Sequence, residues 1–265
     1  MDLGGHSLAS LDGEIMPAGQ ATIPATDEGL LRGDGVFEVI RVYEGRPFAL
    51  EDHLARLERS ARSVRLALDL EAVRADAHRL LAQAGAGRDH EQLRIVITRG
   101  GLRLLLTEPL HPTPARIRLG SVIYAPTRVL DGVKSLSYAA NMLASRLARE
   151  RGFDEALLVT PHGRVLEAPK SSTFWVKHGE LMTPPLDDHI LASITRAAVI
   201  ELSGASESVC TLPDLASADE AFLASTTREV QPVAAVDERS FEDGPVTALA
   251  AAALRTRIES ELTAG

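Results

Sequence analysis

One amine frames the chemistry open to this chain. Lys134 stands in Asp131-Gly132-Val133-Lys134-Ser135-Leu136-Ser137-Tyr138, among small and apolar neighbours at the approach to a helical stretch. A lysine that loses hydration there is disfavoured as an ammonium ion, and its pKa falls. A neutral amine is what condensation with an aldehyde requires. From these residues alone, a solvated lysine near a helix start is the competing reading. Glu167 ends a strand ahead of Ala168 and the pair Ser171-Ser172. A carboxylate there either accepts a hydrogen bond from a cationic ring nitrogen or simply edges the surface. Ser193-Ile194-Thr195-Arg196 opens a helix with Ser193 as N-cap. The first N–H groups of a helix have no partner within it, so this terminus is an anion site or a plain cap. Thr226-Thr227-Arg228 follows a strand and offers hydroxyls and N–H groups to a phosphate or a carboxylate, or else is a β-turn.

Other chemistries find no support. The eight histidines are scattered, the single cysteine is Cys210, and no zinc spacing occurs, so no metal is expected. There is no Gly-x-Ser-x-Gly elbow and no GxxxxGK[ST] loop. Asp187-Asp188-His189 lies in a Pro/Asp-rich loop and reads as solvated turn residues rather than part of a triad. Gly33-Asp34-Gly35 lacks the preceding strand and third glycine of a dinucleotide fingerprint.

These residues need a scaffold, and the chain is long enough for one large domain or two modest ones, at 265 residues with 45% hydrophobic content. A net charge of −9 argues against a nucleic-acid or anionic-membrane binder, and aromatics at 4% leave few stacking platforms. One cysteine permits no intrachain disulfide, which fits a reducing cytoplasm. The opening Met1 to His6 carries no basic region followed by an apolar run, and the alanine-rich run near the end is cut short by Arg255, so neither a secretory signal nor a membrane span is expected.

Residues 13–25 read as an opening hairpin. Val36 to Tyr43 is a strand by its β-branched and aromatic content. Leu54, Leu57, Ala61, Val64 and Leu66 fall near helical spacing, with Arg56, Glu58 and Arg59 off that stripe. A second helix covers about 70–84, and Leu93, Ile95 and Ile97 alternate as a strand. Three prolines within residues 109–114 stiffen the chain and mark a domain boundary. The expected division is 1–109, a linker at 110–115, and 116–265. Beyond it come a strand from Arg116 to Tyr124, a helix from the Lys134 region to about Arg151, and a hairpin of Ala156–Val159 with Arg164–Glu167. Further strands follow at 171–176, 181–183 and 220–225, with helices at about 193–202 and 245–262. The order is mixed, which indicates an α+β or mixed α/β architecture.

Four segments, in this order, resemble the class IV aminotransferases, the fold-type IV pyridoxal phosphate (PLP) enzymes that include branched-chain aminotransferases, D-amino-acid aminotransferases and aminodeoxychorismate lyase. They are "DEGLLRGDGVFEVIRVYEGRPFALEDHLARLERSA", the run from "VKSLSYAANMLASRLARERGFDEALLV" to "LMTPP", "LASITRAAVIEL" and "DEAFLASTTREVQPV". The resemblance spans about Asp27 to Val233. It implies two domains, a small N-terminal α/β domain and a larger C-terminal mixed-sheet, barrel-like one, with pyridoxal 5'-phosphate between them in a homodimer. It makes Lys134 the Schiff-base lysine and Glu167 the partner of the pyridinium nitrogen. Arg56 becomes a phosphate ligand, helped by the N–H groups of Ile194 and Thr195, the Thr195 hydroxyl and Thr226. Leu191 packs on the ring, Tyr138 lies near its phenolic oxygen, and Ser171 and Ser172 are on the ring side. Ser193 and Ala168 replace the family's usual glycines, and Ser172 stands where asparagine is common.

By the same resemblance the freed lysine moves a proton between the donor's α-carbon and the cofactor, and the partners are an amino donor and a 2-oxo acid acceptor. Phe37 and Arg41 in "VFEVIR" lean towards branched-chain enzymes; Thr227, Arg103 and Arg228 are the remaining candidates for the substrate, the arginines for its carboxylate. The Arg-x-His trap of D-amino-acid enzymes is absent from "TRGGLRLLL". Two rivals stand beside transamination: aminodeoxychorismate lyase chemistry, and a non-catalytic binding protein on the same scaffold. The lyase often carries threonine at the place of Glu38 and a Gly-Arg-Gly-Tyr-like turn, and neither is present.

Overall fold

The computed structural model describes residues 7–87 and 91–264. Met1 to His6, read above for a leader, lie outside the described residues. The chain divides into two compact units. The first comprises Met1–Pro112, Val133–Tyr138 and Glu261–Gly265; the second comprises Thr113–Gly132 and Ala139–Ser260. The first break falls between Pro112 and Thr113, inside the proline-rich stretch. The expected continuous unit 116–265 is not what the structure shows, because Val133–Tyr138 groups with the first unit. The cause is backbone pairing. Phe37 N–H donates to the Lys134 carbonyl at 3.0 Å, Leu136 N–H donates to the Gly35 carbonyl at 2.9 Å, and Ser135 bridges Val36.

In the first unit β1 (Leu8–Leu11) and β2 (Glu14–Pro17) form a hairpin that begins earlier than residue 13. Then come α1 (Glu28–Arg32), β3 (Gly35–Tyr43), β4 (Arg46–Pro47), α2 (Leu50–Ser63), α3 (Leu70–Ala84), β5 (Gln92–Thr98) and β6 (Arg103–Glu108). The strands make one antiparallel sheet in the order β2-β1-β6-β5-β3-β4. Successive side chains of a strand face opposite ways. Val36, Ile40 and Val42 therefore meet Leu54, Leu57 and Ala61 of α2 in the core, while Phe37, Arg41 and Tyr43 face the other way. Asp27 caps α1 and Asp69 caps α3, each accepting from a backbone N–H of its helix's first turn.

The second unit holds β7 (Ile117–Ile123), α4 (Ala139–Glu150), β8 (Glu155–Val159), β9 (Ser172–Lys177), β10 (Glu180–Thr183), α5 (Ile194–Ser203), β11 (Ser206–Glu207) and α6 (Leu212–Ala216), followed by β12 (Glu220–Ser225), β13 (Glu229–Val236), β14 (Arg239–Ser240) and α7 (Pro245–Ala264). Its sheet is mixed, in the order β11-β10-β9-β12-β13-β7-β8, with β14 beside β13 and parallel pairing of β7 with β8 and with β13. Arg164–Glu167 is not the regular strand expected. It touches β8 through one bridge, and its backbone joins Leu158 through two hydrogen bonds of 2.9 Å, leaving Glu167 on an irregular segment.

Candidate active site

Lys134 is placed by its backbone. Its carbonyl is taken by Phe37 and its N–H donates to the Ser60 hydroxyl of α2 at 3.2 Å. The ammonium nitrogen lies 4.4 Å from the centroid of the Phe37 ring and 5.9 Å from that of Tyr138. Those two rings meet edge to face at 5.3 Å. The lysine tip thus sits half-buried against aromatic walls.

Behind it lies a charged group that simple helical spacing hid. Arg56 was expected off the apolar stripe of α2; it is 4% exposed, alongside His53, Leu57 and Ser60. Its guanidinium donates through Nε to Oε1 and through Nη2 to Oε2 of Glu38, both at 2.7 Å, and Glu38 is completely buried. His53 Nδ1–H donates to Oε2 of the same carboxylate at 2.8 Å. Burial alone would push Glu38 up, but the charge and hydrogen bonds of Arg56, with His53, outweigh it and bring the carboxyl from 4.5 down to about 2. His53 is held below its ordinary value, first by burial, despite Glu38. Its Nε2 is buried with no partner among the described residues. The signal was present in the sequence: Glu38 occupies an inward position of a strand, where an acid demands a partner, and His53 and Arg56 are one helical turn apart.

In the second unit, Oε1 of Glu167 accepts the N–H of Leu191 at 3.1 Å, which fixes the carboxylate. Tyr124 lies in the field of Glu167; burial first, and that charge second, raise its phenol. Nothing in the spacing had singled Tyr124 out. Ser193 caps α5 by accepting the N–H of Arg196 at 3.2 Å, so Ile194 and Thr195 keep N–H groups with no acceptor inside the helix. The Ser171, Ser172 and Ser225 hydroxyls are buried without partners among the described residues. Thr226 and Thr227 occupy the turn between β12 and β13.

Two of the expected substrate arginines are otherwise engaged. Arg103 pairs with Asp76 of α3 at 2.6 Å. It stands opposite Ile97, which stands opposite Val36, so it lies on the helix-covered face of the sheet, away from Phe37. Arg228 donates to Glu155 and to Gln231. Arg41 differs from both. Its Nε and Nη1 are buried without partners among the described residues, its Nη2 reaches Glu91 only at 3.5 Å, and its guanidinium lies 5.0 Å from the Tyr43 ring centroid.

The first unit thus presents the Lys134 amine beside Phe37, and the second presents a carboxylate held by Leu191 and the open first N–H groups of α5. The chain belongs to the class IV aminotransferases, whose family, described as amino-transferase class IV, matches residues 35–236. It is 35% identical over 261 residues to a putative branched-chain-amino-acid aminotransferase of Methanocaldococcus jannaschii, covering 89% of this chain and 90% of that protein. It is 31% identical over 290 residues to a bifunctional aminodeoxychorismate lyase / D-amino acid transaminase of Mycobacterium tuberculosis, covering 96% and 99%. A fold IV-transaminase from Curtobacterium pusillum superposes with a TM-score of 0.85 at 30% identity, over 97% of this chain and 99% of that one. The chain is thus an enzyme of amino-group transfer, and enzymes of this class depend on PLP.

The residues present fit that coenzyme. An amine suits an aldehyde, a carboxylate a cationic ring nitrogen and a helix N-terminus a phosphate, and the Ser171 and Ser172 hydroxyls, buried without partners among the described residues, would be satisfied by a polar ring edge.

Proposed function

We propose that this chain moves an amino group between an amino acid and a 2-oxo acid with PLP as coenzyme and Lys134 as the reacting amine. The observation that carries this reading is the Lys134 nitrogen poised 4.4 Å over Phe37 on a backbone strapped to β3. PLP, when bound, supplies an electron sink for the pair left at the donor's α-carbon. Lys134 accepts the proton from that carbon and returns it on the far side of the exchange. Glu167, whose Oε1 accepts the Leu191 N–H, would face the ring nitrogen and favour its protonated form. Ile194, Thr195 and Thr226 would hold the phosphate; the resemblance adds Arg56, whose guanidinium plane Glu38 fixes. Leu191 and Tyr138 would pack about the ring.

For the substrate, Phe37, Thr227 and Arg41 are the residues we favour. The Nε and Nη1 of Arg41, without partners among the described residues, would be satisfied by a donor's carboxylate. We rank Arg41 ahead of Arg103 and Arg228 because its one carboxylate contact, Glu91 at 3.5 Å, is looser than theirs at 2.6 and 3.1 Å. We further read the working form as a homodimer, since Leu30 and Leu31 on α1 and Leu143 and Leu147 on α4 are large apolar side chains left exposed. No helix among the described residues is long and apolar enough to cross a membrane. Cys210 is a buried free thiol, which suits a reducing, cytoplasmic setting.

The test is a panel of L- and D-amino acids, (R)- and (S)-1-phenylethylamine and aminodeoxychorismate, each with and without 2-oxoglutarate or pyruvate. Turnover that requires the oxo acid supports transamination. Release of pyruvate from aminodeoxychorismate with no acceptor would make the chain a lyase. A colourless protein that turns over nothing in the panel would overturn the reading.

A further inference from the structure

The turn that carries Thr226 and Thr227 is held by groups with no part in the chemistry above. Arg228 N–H donates to the Ser225 carbonyl at 3.2 Å and closes the turn. The chain then re-enters β13 through Glu229 at φ 56°, a left-handed conformation that is costly for a residue other than glycine. Such a conformation persists only where its surroundings impose it.

Those surroundings grip it from two sides. Inward, Arg228 donates through Nη1 to Gln231 Oε1 at 2.6 Å and through Nη2 to Glu155 Oε2 at 3.1 Å. Glu155 is 1% exposed, and its other oxygen takes the Ser145 hydroxyl of α4 and the Ala156 N–H. Gln231 in turn donates to the Pro114 carbonyl at 2.5 Å. Outward, Arg255 of α7 holds the Glu229 carboxylate at 2.6 Å. A buried ion pair is poor evidence of stability, but it selects one geometry, because few placements of a planar fork satisfy both acceptors.

We propose that Arg228 is a positioning residue. Braced by Glu155 and Gln231, it fixes the β12–β13 turn so that Thr226 and Thr227 present their hydroxyls and N–H groups in one arrangement, to the coenzyme phosphate and the substrate carboxylate. The inference rests on the function proposed above. It assigns the arginine a role in the turn rather than on the substrate.

The experiment compares the holoenzyme with Arg228→Met, Arg228→Lys and the double variant Glu155→Gln/Arg228→Met. Three quantities are read: the apparent dissociation constant for PLP, KM against kcat, and amide hydrogen exchange of the coenzyme-free protein. Arg228→Met should weaken PLP by about tenfold, the cost of losing a charge-assisted bond. It should raise KM by more than it lowers kcat, and speed exchange only across residues 225–231. Lysine should recover part of this, having charge but no fork. The double variant leaves no buried charge unpaired, so it should melt near the wild type yet bind PLP as weakly as Arg228→Met; it carries the test if the single variant does not fold. Wild-type PLP affinity, KM and loop exchange in that double variant would overturn the inference and leave the aminotransferase reading intact. A wild-type protein that binds no PLP would overturn both.

Discussion

At the scale of single residues the chain relies on charges removed from water. Replacing Lys134 with alanine should abolish turnover and the visible absorbance of the purified protein, while Lys134→Arg, which keeps a charge but no condensable amine, should fail equally. Retained absorbance in either variant would move the reacting amine elsewhere. Glu38 and His53 make a prediction about acid. A carboxyl lowered in the fold from 4.5 to about 2 contributes stability that is complete above its ordinary value and is lost as pH falls towards the lower one. That span corresponds to about 3 kcal/mol. His53, also lowered, acts in the same direction: its contribution is complete above 6.5 and fades below it as the unfolded chain takes up the proton. The melting temperature should therefore fall from pH 7 to 5 and more steeply towards 3. Glu38→Gln should melt lower at pH 7, since Arg56 is left buried without its counter-charge, and should lose less on acidification. Parallel curves for the two proteins would refute the assignment of this acid sensitivity to Glu38.

At the scale of elements the question is what holds the Lys134 strap against β3. Gly35 answers it: a Cβ there would lie 2.4 Å from the Ile97 carbonyl oxygen and 2.6 Å from Leu136 Cδ1. Gly35→Ala must push either the neighbouring strand or the strap, so PLP affinity and turnover should drop. Leu57→Ala, in the core of the same unit, should cost about 2–5 kcal/mol of stability. Its loss should appear in the melt and leave PLP affinity nearly unchanged. Equal damage to affinity from both substitutions would show that the strap has no special sensitivity. Elements with a single clear periodicity were legible in the sequence, such as α2, α3 and β3. β6 and β13 were not. β6 carries three consecutive leucines, Leu104 to Leu106, in place of an alternation, and Pro232 interrupts β13. Arg56 was misplaced for a related reason: the apolar stripe of α2 is flanked by polar residues buried against Glu38, and hydrophobicity alone sees only its apolar part.

At the scale of the whole molecule, order and spacing of the four segments named the family, while the partners of its side chains stayed out of reach. Nothing local to Arg228 says that Glu155 awaits it, because that pairing is made by the fold. The same holds for Arg103 and Asp76. What the fold adds to the family set is therefore which charges are paired within the chain, and how tightly. The last consequence concerns the coenzyme as a stabiliser. A ligand that binds only the folded chain raises its stability by mass action, by about 2.7 kcal/mol at one hundred times its dissociation constant. For a chain of this size each kcal/mol moves the melt by about 2–4 °C, so removing PLP should lower it by about 5–10 °C. In the function proposed, much of the anchoring falls to the phosphate, through α5 and Thr226, so pyridoxal without its phosphate should restore little of that shift. Inorganic phosphate at high concentration should restore part of it with no aldehyde present. Lys134→Ala should keep a reduced response to PLP, because the phosphate cradle survives the loss of the amine. If pyridoxal proved as protective as PLP, the anchoring would have to be transferred from α5 and the β12–β13 turn to the residues around the ring.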